Sequence, residues 1–246
     1  MDIKDAAKFL NVSVMTIRRW TNAGKLKCFR VGGKQERRFY IRDLEDLLHD
    51  SKGHRLKPLG LGGERVPGGA HMTHFYAGKE EAHRVSIPYL LEGIERGEVL
   101  LVVMPPERSS DLLENMEREG HPVGNWLERG RLCVTDGMGS PEEMVRYLGD
   151  FAERAHEFRV LGDMIWTVRK GWEAEALSAL EQSFPQAPPV EEGLFLCQYN
   201  LEDFTGRTIM MAAEWHRQTI YKEKLEESPY YALGASKQGG HGCLRL

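Results

Sequence analysis

Residues 2–41 read DIKDAAKFLNVSVMTIRRWTNAGKLKCFRVGGKQERRFYI, and this stretch decides the fold of the amino-terminal end. Apolar residues recur at helical spacing over 3–10, which predicts a first amphipathic helix. Ser13 then stands where a capping residue belongs, ahead of a second helix that Gly24 would end. Two short strands around a Gly-Gly pair follow as a hairpin. The pattern predicts a winged helix-turn-helix.

The second predicted helix has an apolar side and a polar, cationic side. Ile17 falls on the inward side of this helix. A helix that presents arginine and asparagine beside a basic hairpin can enter the major groove of double-stranded DNA. The outward residues, at helical spacing, are Met15, Arg18, Arg19 and Asn22.

Charge is distributed unevenly along the chain. The whole sequence of 246 residues has a formal net charge of −4. Residues 13–42 contain nine lysines or arginines against one acid, Glu36, which gives this segment +8. A patch this dense attracts phosphates through counterion release. The amino-terminal end therefore has the electrostatic character of a nucleic-acid-binding module, whereas the remainder is acidic.

The segment AAKFLNVSVMTIRRWTNAGKLKCFRVGGKQERRFYIRDLEDLL, residues 6–48, resembles the excisionase/MerR-type winged helix-turn-helix family. The resemblance covers residues 2–48 and includes a closing helix over 42–48. It implies contacts with DNA by both the second helix and the wing. The residues so implicated are Ser13, Thr16, Arg18, Arg19, Lys34, Arg37 and Arg38.

Four regions follow from the distribution of glycine, proline and apolar residues. The predicted winged helix-turn-helix occupies 1–48, and 49–69 has six glycines and two prolines, which is typical of a linker. Strand patterns alternate with helical patterns over 70–225, which predicts a three-layer α/β domain with a mainly parallel sheet. Residues 226–246 are glycine-rich and predict a flexible tail. The fold class is α+β multi-domain.

Capping residues and prolines indicate where individual helices of the second domain begin and end. A capping pattern at Ser140 begins a helix that we expect to reach Phe158, and Pro88 is expected to kink or divide an earlier helix. Further helices are expected over 111–119 and 172–184. The predicted strands are 71–76, 98–104, 131–135, 159–167 and 194–199.

Several classes of function lack their usual sequence signals. No GxxxxGK[ST], GxSxG, HExxH or strand-following GxGxxG motif occurs, so we expect no catalytic residue and no cofactor, and a RecA-like fold would lack the P-loop. The four cysteines form no CxxC pair, and His71 and His74 would point to opposite faces of a strand, so no metal site is predicted. Without a secretory signal or membrane span, a cytoplasmic location is expected.

Five segments of the second domain resemble the MEDS sensory domain, a family related to RecA-like domains. They are GGAHMTHFY (68–76), IPYLLEGIERGEVLLVVMPPE (87–107), ENMEREG (114–120), RVLGDMIWTVRKG (159–171) and LFLCQYNLEDFTGRTIMMAAEWH (194–216). Two positions depart from the family pattern: Asp163 replaces a glutamate, and Arg217 follows His216 where a proline is common. The resemblance implies a domain that receives a signal, with a small organic or C1-type compound as a candidate effector.

In a parallel α/β sheet, ligands bind at the carboxyl ends of the strands, which defines the candidate pocket. Core packing is the alternative for Phe75, Met104 and Trp166, and His71 is open to a structural or a pocket role. The candidate ligand-binding residues are His71, Phe75, Tyr76, Met104, Asp163, Trp166 and Tyr199.

Three functions remain open at this point. The favoured one is a transcription regulator that binds double-stranded DNA as a homodimer and responds to a small-molecule effector. An excisionase-like architectural protein would leave the second domain without a role. An enzyme with a DNA-targeting domain would need a nucleophile, metal cluster or phosphate loop that the sequence does not display.

Overall fold

The computed structural model describes residues 1–33, 35–41, 43, 44, 47, 56–183 and 193–231. The chain separates into two compact units, Met1–Arg55 and Leu56–Leu246. Each unit has its own buried apolar core.

The amino-terminal unit begins with two capped helices, α1 (Ile3–Phe9) and α2 (Val14–Asn22). The Asp2 carboxylate accepts hydrogen bonds from the backbone of Lys4 and Asp5 at 2.7 and 2.9 Å, as the predicted cap requires. The tight turn between the helices places Asn11 at a φ of 51°. The two helices contribute to one apolar core. Its buried residues are Ala6, Ala7, Leu10, Ile17, Leu26, Phe39 and Leu44.

A small antiparallel hairpin completes the described part of this unit. Strand β1 (Phe29–Val31) pairs with β2 (Glu36–Arg38), with Phe29 opposite Arg38. The hairpin was predicted from its Gly-Gly turn and is observed. The closing helix predicted for 42–48 lies mostly outside the described residues, although Leu44 is helical and buried.

The second unit contains a seven-stranded sheet. Its strands are β5 (His71–Tyr76), β6 (Val99–Val103), β7 (Leu132–Thr135), β8 (Phe158–Asp163), β9 (Gly193–Asn200), β10 (Gln218–Tyr221) and β11 (Lys224–Glu227). They lie in the order β11-β10-β5-β9-β8-β6-β7. Neighbouring strands from β10 to β7 run parallel, and the β10–β11 pair is antiparallel. The mainly parallel sheet predicted from the sequence is confirmed.

Helices cover both faces of this sheet. One face packs against α3 (Lys79–Glu95), α4 (Pro106–Arg118) and α5 (Val123–Glu128). The other packs against α6 (Pro141–Ala155), α7 (Ile165–Arg169), α8 (Ala174–Ser183) and α9 (Gly206–Trp215). Three layers result, and side chains alternate between the two cores along each strand.

The structure corrects several predicted bounds. The strand predicted for 159–167 ends at Asp163, because the apolar residues that follow belong to α7. Pro88 does not divide its helix, since α3 is one helix from Lys79 to Glu95. Residues 226 and 227 belong to β11 and the Ser228 hydroxyl donates to the Ala213 carbonyl at 2.6 Å, so the predicted tail begins too early; residues 232–246 lie outside the described residues.

The predicted linker 49–69 is wrong for its second half. Strands β3 (Leu56–Pro58) and β4 (Arg65–Pro67) form an antiparallel hairpin whose Leu59, Leu61 and Val66 are buried in the sheet core. Gly60 in this hairpin allows close packing against the helix that contains Pro88. A Cβ on Gly60, which has a φ of 88°, would lie 2.3 Å from the Pro88 carbonyl oxygen.

A buried arginine attaches this hairpin to the sheet. Arg159 of β8 is fully buried, forms an ion pair with Glu98, and donates to the carbonyl oxygens of Pro58 at 2.7 Å and Leu59 at 3.3 Å. Lys57 lies 3.4 Å from the same Glu98 carboxylate. The charge of Glu98 is therefore shared between a strand of the sheet and a strand of the hairpin.

Within the described parts of the chain, no helix is both long enough and apolar enough to span a bilayer.

Candidate functional site

The face of α2 that is predicted to contact DNA is exposed. Met15, Arg18 and Arg19 all lie at the surface, while Ile17 is buried beneath them. The Ser13 hydroxyl accepts a hydrogen bond from the backbone N–H of Thr16 at 3.1 Å, which fixes the start of the helix. Neither Arg18 nor Arg19 has an ion-pair partner among the described residues, so both guanidinium groups are available to phosphates or bases.

The wing is tied to this helix by a side-chain hydrogen bond. Arg37 donates to the Asn22 side chain at 2.8 Å, which joins β2 to the end of α2. Arg38 lies 3.1 Å from Glu36 and 4.0 Å from Asp2, so its charge is partly neutralised within the unit. Lys34, the remaining predicted contact, lies outside the described residues. Arg37 and Arg38 are thus more constrained than Arg18 and Arg19.

A pocket of about 300 Å³ opens at the carboxyl ends of β5, β8 and β9, beside α3 and α4. Parallel pairing places Tyr76 opposite Asn200 and Asp163 opposite Gln198. The lining is mixed polar and apolar: Tyr76, Lys79, Ala82, His83, Ser86, Met104, Glu107, Arg108, Asp111, Leu112, Asp163, Gln198 and Asn200. This is the position expected for a ligand site in a parallel sheet.

A buried carboxylate stands at the base of this pocket. The Asp163 Oδ2 atom accepts hydrogen bonds from the Tyr76 hydroxyl at 2.9 Å and from Arg108 at 2.7 Å. The other end of the Arg108 guanidinium forms an ion pair with Asp203 at 2.5 Å. Arg108 on α4 therefore bridges the ends of β8 and β9.

The protonation of this network follows from burial and charge. Burial raises the pKa of Asp163, and the charge and hydrogen bonds of Arg108, together with the Tyr76 hydroxyl, oppose that rise. Burial also raises the pKa of Tyr76, and the Asp163 carboxylate adds to this effect. Tyr76 is therefore a neutral phenol that donates its proton to Asp163.

A chain of neutral hydrogen bonds reaches the pocket lining at Ser86 and Gln198. The Ser86 hydroxyl donates to the Gln198 side-chain oxygen at 3.0 Å, and the Gln198 amide nitrogen lies 2.8 Å from His74 Nδ1. Burial lowers the pKa of His74 to about 4, so its ring is neutral. Gln198 is consequently held in one orientation at the pocket wall.

The seven residues predicted to bind a ligand do not form one site. Tyr76, Met104 and Asp163 line the pocket. Phe75, Trp166 and Tyr199 belong to the apolar core on the opposite face of the sheet. Adjacent residues of a strand point to opposite faces, so Phe75 and Tyr76 cannot line the same pocket.

Trp166 and His71 lie outside the pocket. Trp166 is 1% exposed, packs edge-on to Trp172 with ring centroids 4.8 Å apart, and lies against Gly137. His71 lies among Glu181, Cys197 and His216, on the same face as Phe75. The structure therefore gives these two residues no place in the pocket.

Sequence reasoning missed most of the polar lining. Arg108 follows the end of β6 by five positions, and Asn200 is the last residue of β9, so both could have been found by inspecting strand ends. Lys79, His83 and Ser86 come from α3, and nothing in the sequence shows which face of that helix meets the sheet end.

The comparisons with known proteins assign a family to each part of the chain. Residues 70–217 match the family described as MEDS, the methanogen/methylotroph, DcmR sensory domain, and residues 1–51 match a helix-turn-helix domain. The chain is 27% identical over 251 residues to the transcriptional repressor DcmR of Methylorubrum extorquens, covering 92% of this chain and 93% of that protein.

A solved structure confirms the fold of the second unit. The KaiC-like protein PH0186 of Pyrococcus horikoshii OT3 superposes with a TM-score of 0.54 at 16% identity, covering 68% of this chain and 80% of that one. At this identity the likeness concerns the fold alone, and it confirms the predicted RecA-like class. Since the MEDS match covers more than half of the sequence, the chain belongs to the MEDS family and carries a helix-turn-helix domain ahead of its sensory domain.

Proposed function

We propose that this protein is a transcriptional repressor that binds double-stranded DNA through its helix-turn-helix and releases it in response to a small effector. The observation that carries the proposal is the likeness to the repressor DcmR along nearly the whole chain, which includes both domains in the same order. The exposed cationic face of α2, where Arg18 and Arg19 have no ion-pair partner among the described residues, supports the DNA-binding part. The proposal assigns the chain no catalytic step.

The pocket at the strand ends is the proposed effector site, and its charges favour an uncharged ligand. Lys79 forms an ion pair with Asp111 at 2.9 Å, and Arg108 is paired with Asp163 and Asp203. Both cations of the lining are thus already neutralised, so an acidic effector would find no unpaired cation among the described lining residues. A small neutral molecule with one hydrogen-bonding or polarisable group fits the mixed lining.

Regulation requires that the effector distinguish two states of the chain. A ligand with equal affinity for the DNA-binding and the DNA-releasing states would leave operator affinity unchanged. The Arg108 bridge is suited to this task, because it joins β8 to the segment after β9 through two carboxylates. An effector that displaces one of these contacts would shift α4 relative to the strand ends.

Replacing Asp163 by asparagine is expected to raise the effector concentration needed for operator release by about tenfold, which corresponds to the loss of one hydrogen bond to a charged group. Effector-free operator affinity should stay within about twofold of the parent. The measurement is an operator-binding titration by fluorescence anisotropy, with dichloromethane and methanol as probes.

Asp136→Asn is the matched control, because Asp136 lies at the end of β7, outside the pocket lining, and forms a surface ion pair with Lys170 at 2.7 Å. If Asp163→Asn releases the operator at the same effector concentration as the parent, the effector binds elsewhere. Operator binding that no probe alters would favour an architectural DNA-binding role instead, and turnover of a probe would favour an enzyme.

Dimerisation is a further expectation, because a single small helix-turn-helix covers few base pairs and regulators gain affinity from two half-sites. Sedimentation equilibrium of the full-length protein should give twice the chain mass of 28.0 kDa. A monomer both free and on DNA would contradict this expectation.

A further inference from the structure

Four potential metal ligands converge on the face of the sheet opposite the pocket. They are His71, Glu181, Cys197 and His216, and one donor atom from each lies within 4.8 Å of all the others. The Nε2 atom of His71 is 2.9 Å from His216 Nε2, 3.2 Å from Cys197 Sγ and 3.2 Å from Glu181 Oε2. His216 Nε2 is 3.4 Å from the same carboxylate oxygen.

Four separate elements bring these side chains together. His71 begins β5, Cys197 lies in the neighbouring strand β9, Glu181 comes from α8, and His216 follows the last residue of α9. Alternation along the paired strands puts His71 and Cys197 on the same face. The four residues are far apart in sequence, so no local spacing motif predicts a metal site that contains them.

The hydrogen bonds behind the cluster direct electron pairs toward its centre. His216 Nδ1 lies 2.8 Å from the Ala212 carbonyl oxygen, so Nδ1 carries the proton and Nε2 presents a lone pair. The Tyr199 hydroxyl donates to Glu181 Oε1 at 2.6 Å, which turns the other carboxylate oxygen inward. That oxygen, Oε2, is buried and has no hydrogen-bond donor among the described residues.

Such outer contacts are those that orient ligands around a metal. A ligating histidine usually donates its second ring nitrogen to a carbonyl, and a ligating carboxylate is itself hydrogen-bonded, as seen here for His216 and Glu181. The cluster therefore resembles a preformed site with its supporting contacts in place.

We propose that His71, Glu181, Cys197 and His216 bind one divalent cation of the zinc type in a closed, tetrahedral site. With Glu181 and Cys197 as anions and both imidazoles neutral, a divalent cation makes the buried cluster electrically neutral. The proton of the Cys197 thiol leaves to solvent on binding. Imidazole and thiolate ligands select zinc over magnesium or calcium, which prefer an all-oxygen shell.

The distances are compatible with this geometry. Bonds of about 2.0 to 2.3 Å in a tetrahedron separate the ligand atoms by about 3.3 to 3.6 Å. Four of the six separations, at 2.9 to 3.4 Å, require an expansion of up to a few tenths of an ångström. The other two, from Cys197 Sγ to Glu181 and to His216, are at most 4.8 Å and close as the thiolate moves toward the cation. Four protein ligands leave no open position, so the site would fasten β5 and β9 to α8 and α9 rather than perform chemistry.

The test is independent of DNA and of any effector, so its outcome does not depend on the proposed regulatory function. Full-length protein is treated with chelator, reloaded with Co²⁺ and examined by absorption spectroscopy, and metal content after Zn²⁺ reloading is determined by mass spectrometry. One metal per chain is expected, together with a thiolate-to-cobalt charge-transfer band and the intense visible bands of tetrahedral cobalt. The melting temperature should fall when the metal is removed.

Cys197→Ser should abolish the charge-transfer band and weaken Zn²⁺ binding at least about 100-fold. Cys133→Ser, a half-buried cysteine of β7 outside the cluster, is the matched control and should keep both. Glu181→Gln preserves the size of the side chain and should also weaken binding. Folded parent protein without stoichiometric metal or without the band would overturn the proposal, as would a band that survives in Cys197→Ser.

Discussion

A variant that replaces both Arg18 and Arg19 by alanine is expected to lose at least about 30-fold in affinity for its operator. The estimate follows from about 1 to 3 kcal/mol for each side chain that contacts a base edge or a phosphate. Both arginines are exposed on α2 and lack ion-pair partners among the residues that the structure describes. Neither has to break an internal contact to reach DNA.

The salt dependence of operator binding distinguishes phosphate contacts from base contacts. Each phosphate contact that is lost should reduce the slope of log affinity against log salt by about one, whereas a lost base contact relaxes sequence preference. The measurement is a fluorescence anisotropy titration at several salt concentrations. Lys8→Ala, an exposed cation on α1, is the control and should change affinity much less. Parent-like affinity and slope in the double variant would refute the assignment of α2 as the recognition helix.

Replacing Arg159 by leucine is expected to lower the free energy of unfolding of the sheet domain by about 3 to 5 kcal/mol, the usual cost of removing one partner from a buried ion pair. Among the described residues, Glu98, itself 1% exposed, would keep only Lys57 as a counter-charge. The carbonyl of Tyr89, which accepts from Arg159 at 3.1 Å, and the two hairpin carbonyls would lose their donor.

Urea unfolding followed by circular dichroism measures this loss. Arg146→Leu, at an exposed position of α6, serves as the control and should stay within about 0.5 kcal/mol of the parent. Glu98→Gln keeps the shape of the partner and should also be destabilising. A loss below about 1 kcal/mol in Arg159→Leu would show that the ion pair does not hold the hairpin.

The sequence predicted those parts of the fold whose signals are local. Ser13 and Ser140 cap their helices as expected, since both hydroxyls accept from the backbone three residues on. Strands β10 and β11 were not predicted, because each has only four residues and most of these residues are polar. Their turn, at Lys222 and Glu223, has positive φ angles without the glycine or asparagine that usually marks such a turn.

The candidate site was predicted only in part, because its position follows from strand topology whereas its full lining does not. A pocket lies at the strand ends, where topology predicts the ligand site, and Tyr76 and Asp163 line it; ligand binding there stays a prediction. The two-residue alternation of β5 places His71 and Phe75 on the face opposite Tyr76, so these three predicted residues cannot share one pocket. Contacts across helices, such as Arg108 with Asp163, depend on helix rotation and could not be derived from spacing.

The β3–β4 hairpin also determines where this chain can be divided. The MEDS match begins at residue 70, yet the second compact unit begins at Leu56. A fragment that starts at the family boundary would expose the core beneath Leu59 and Val66 and leave Arg159 without two of its acceptors. Truncations, fusions and domain exchanges based on this protein should therefore cut ahead of Leu56, because the boundary of sequence similarity falls inside the folding unit.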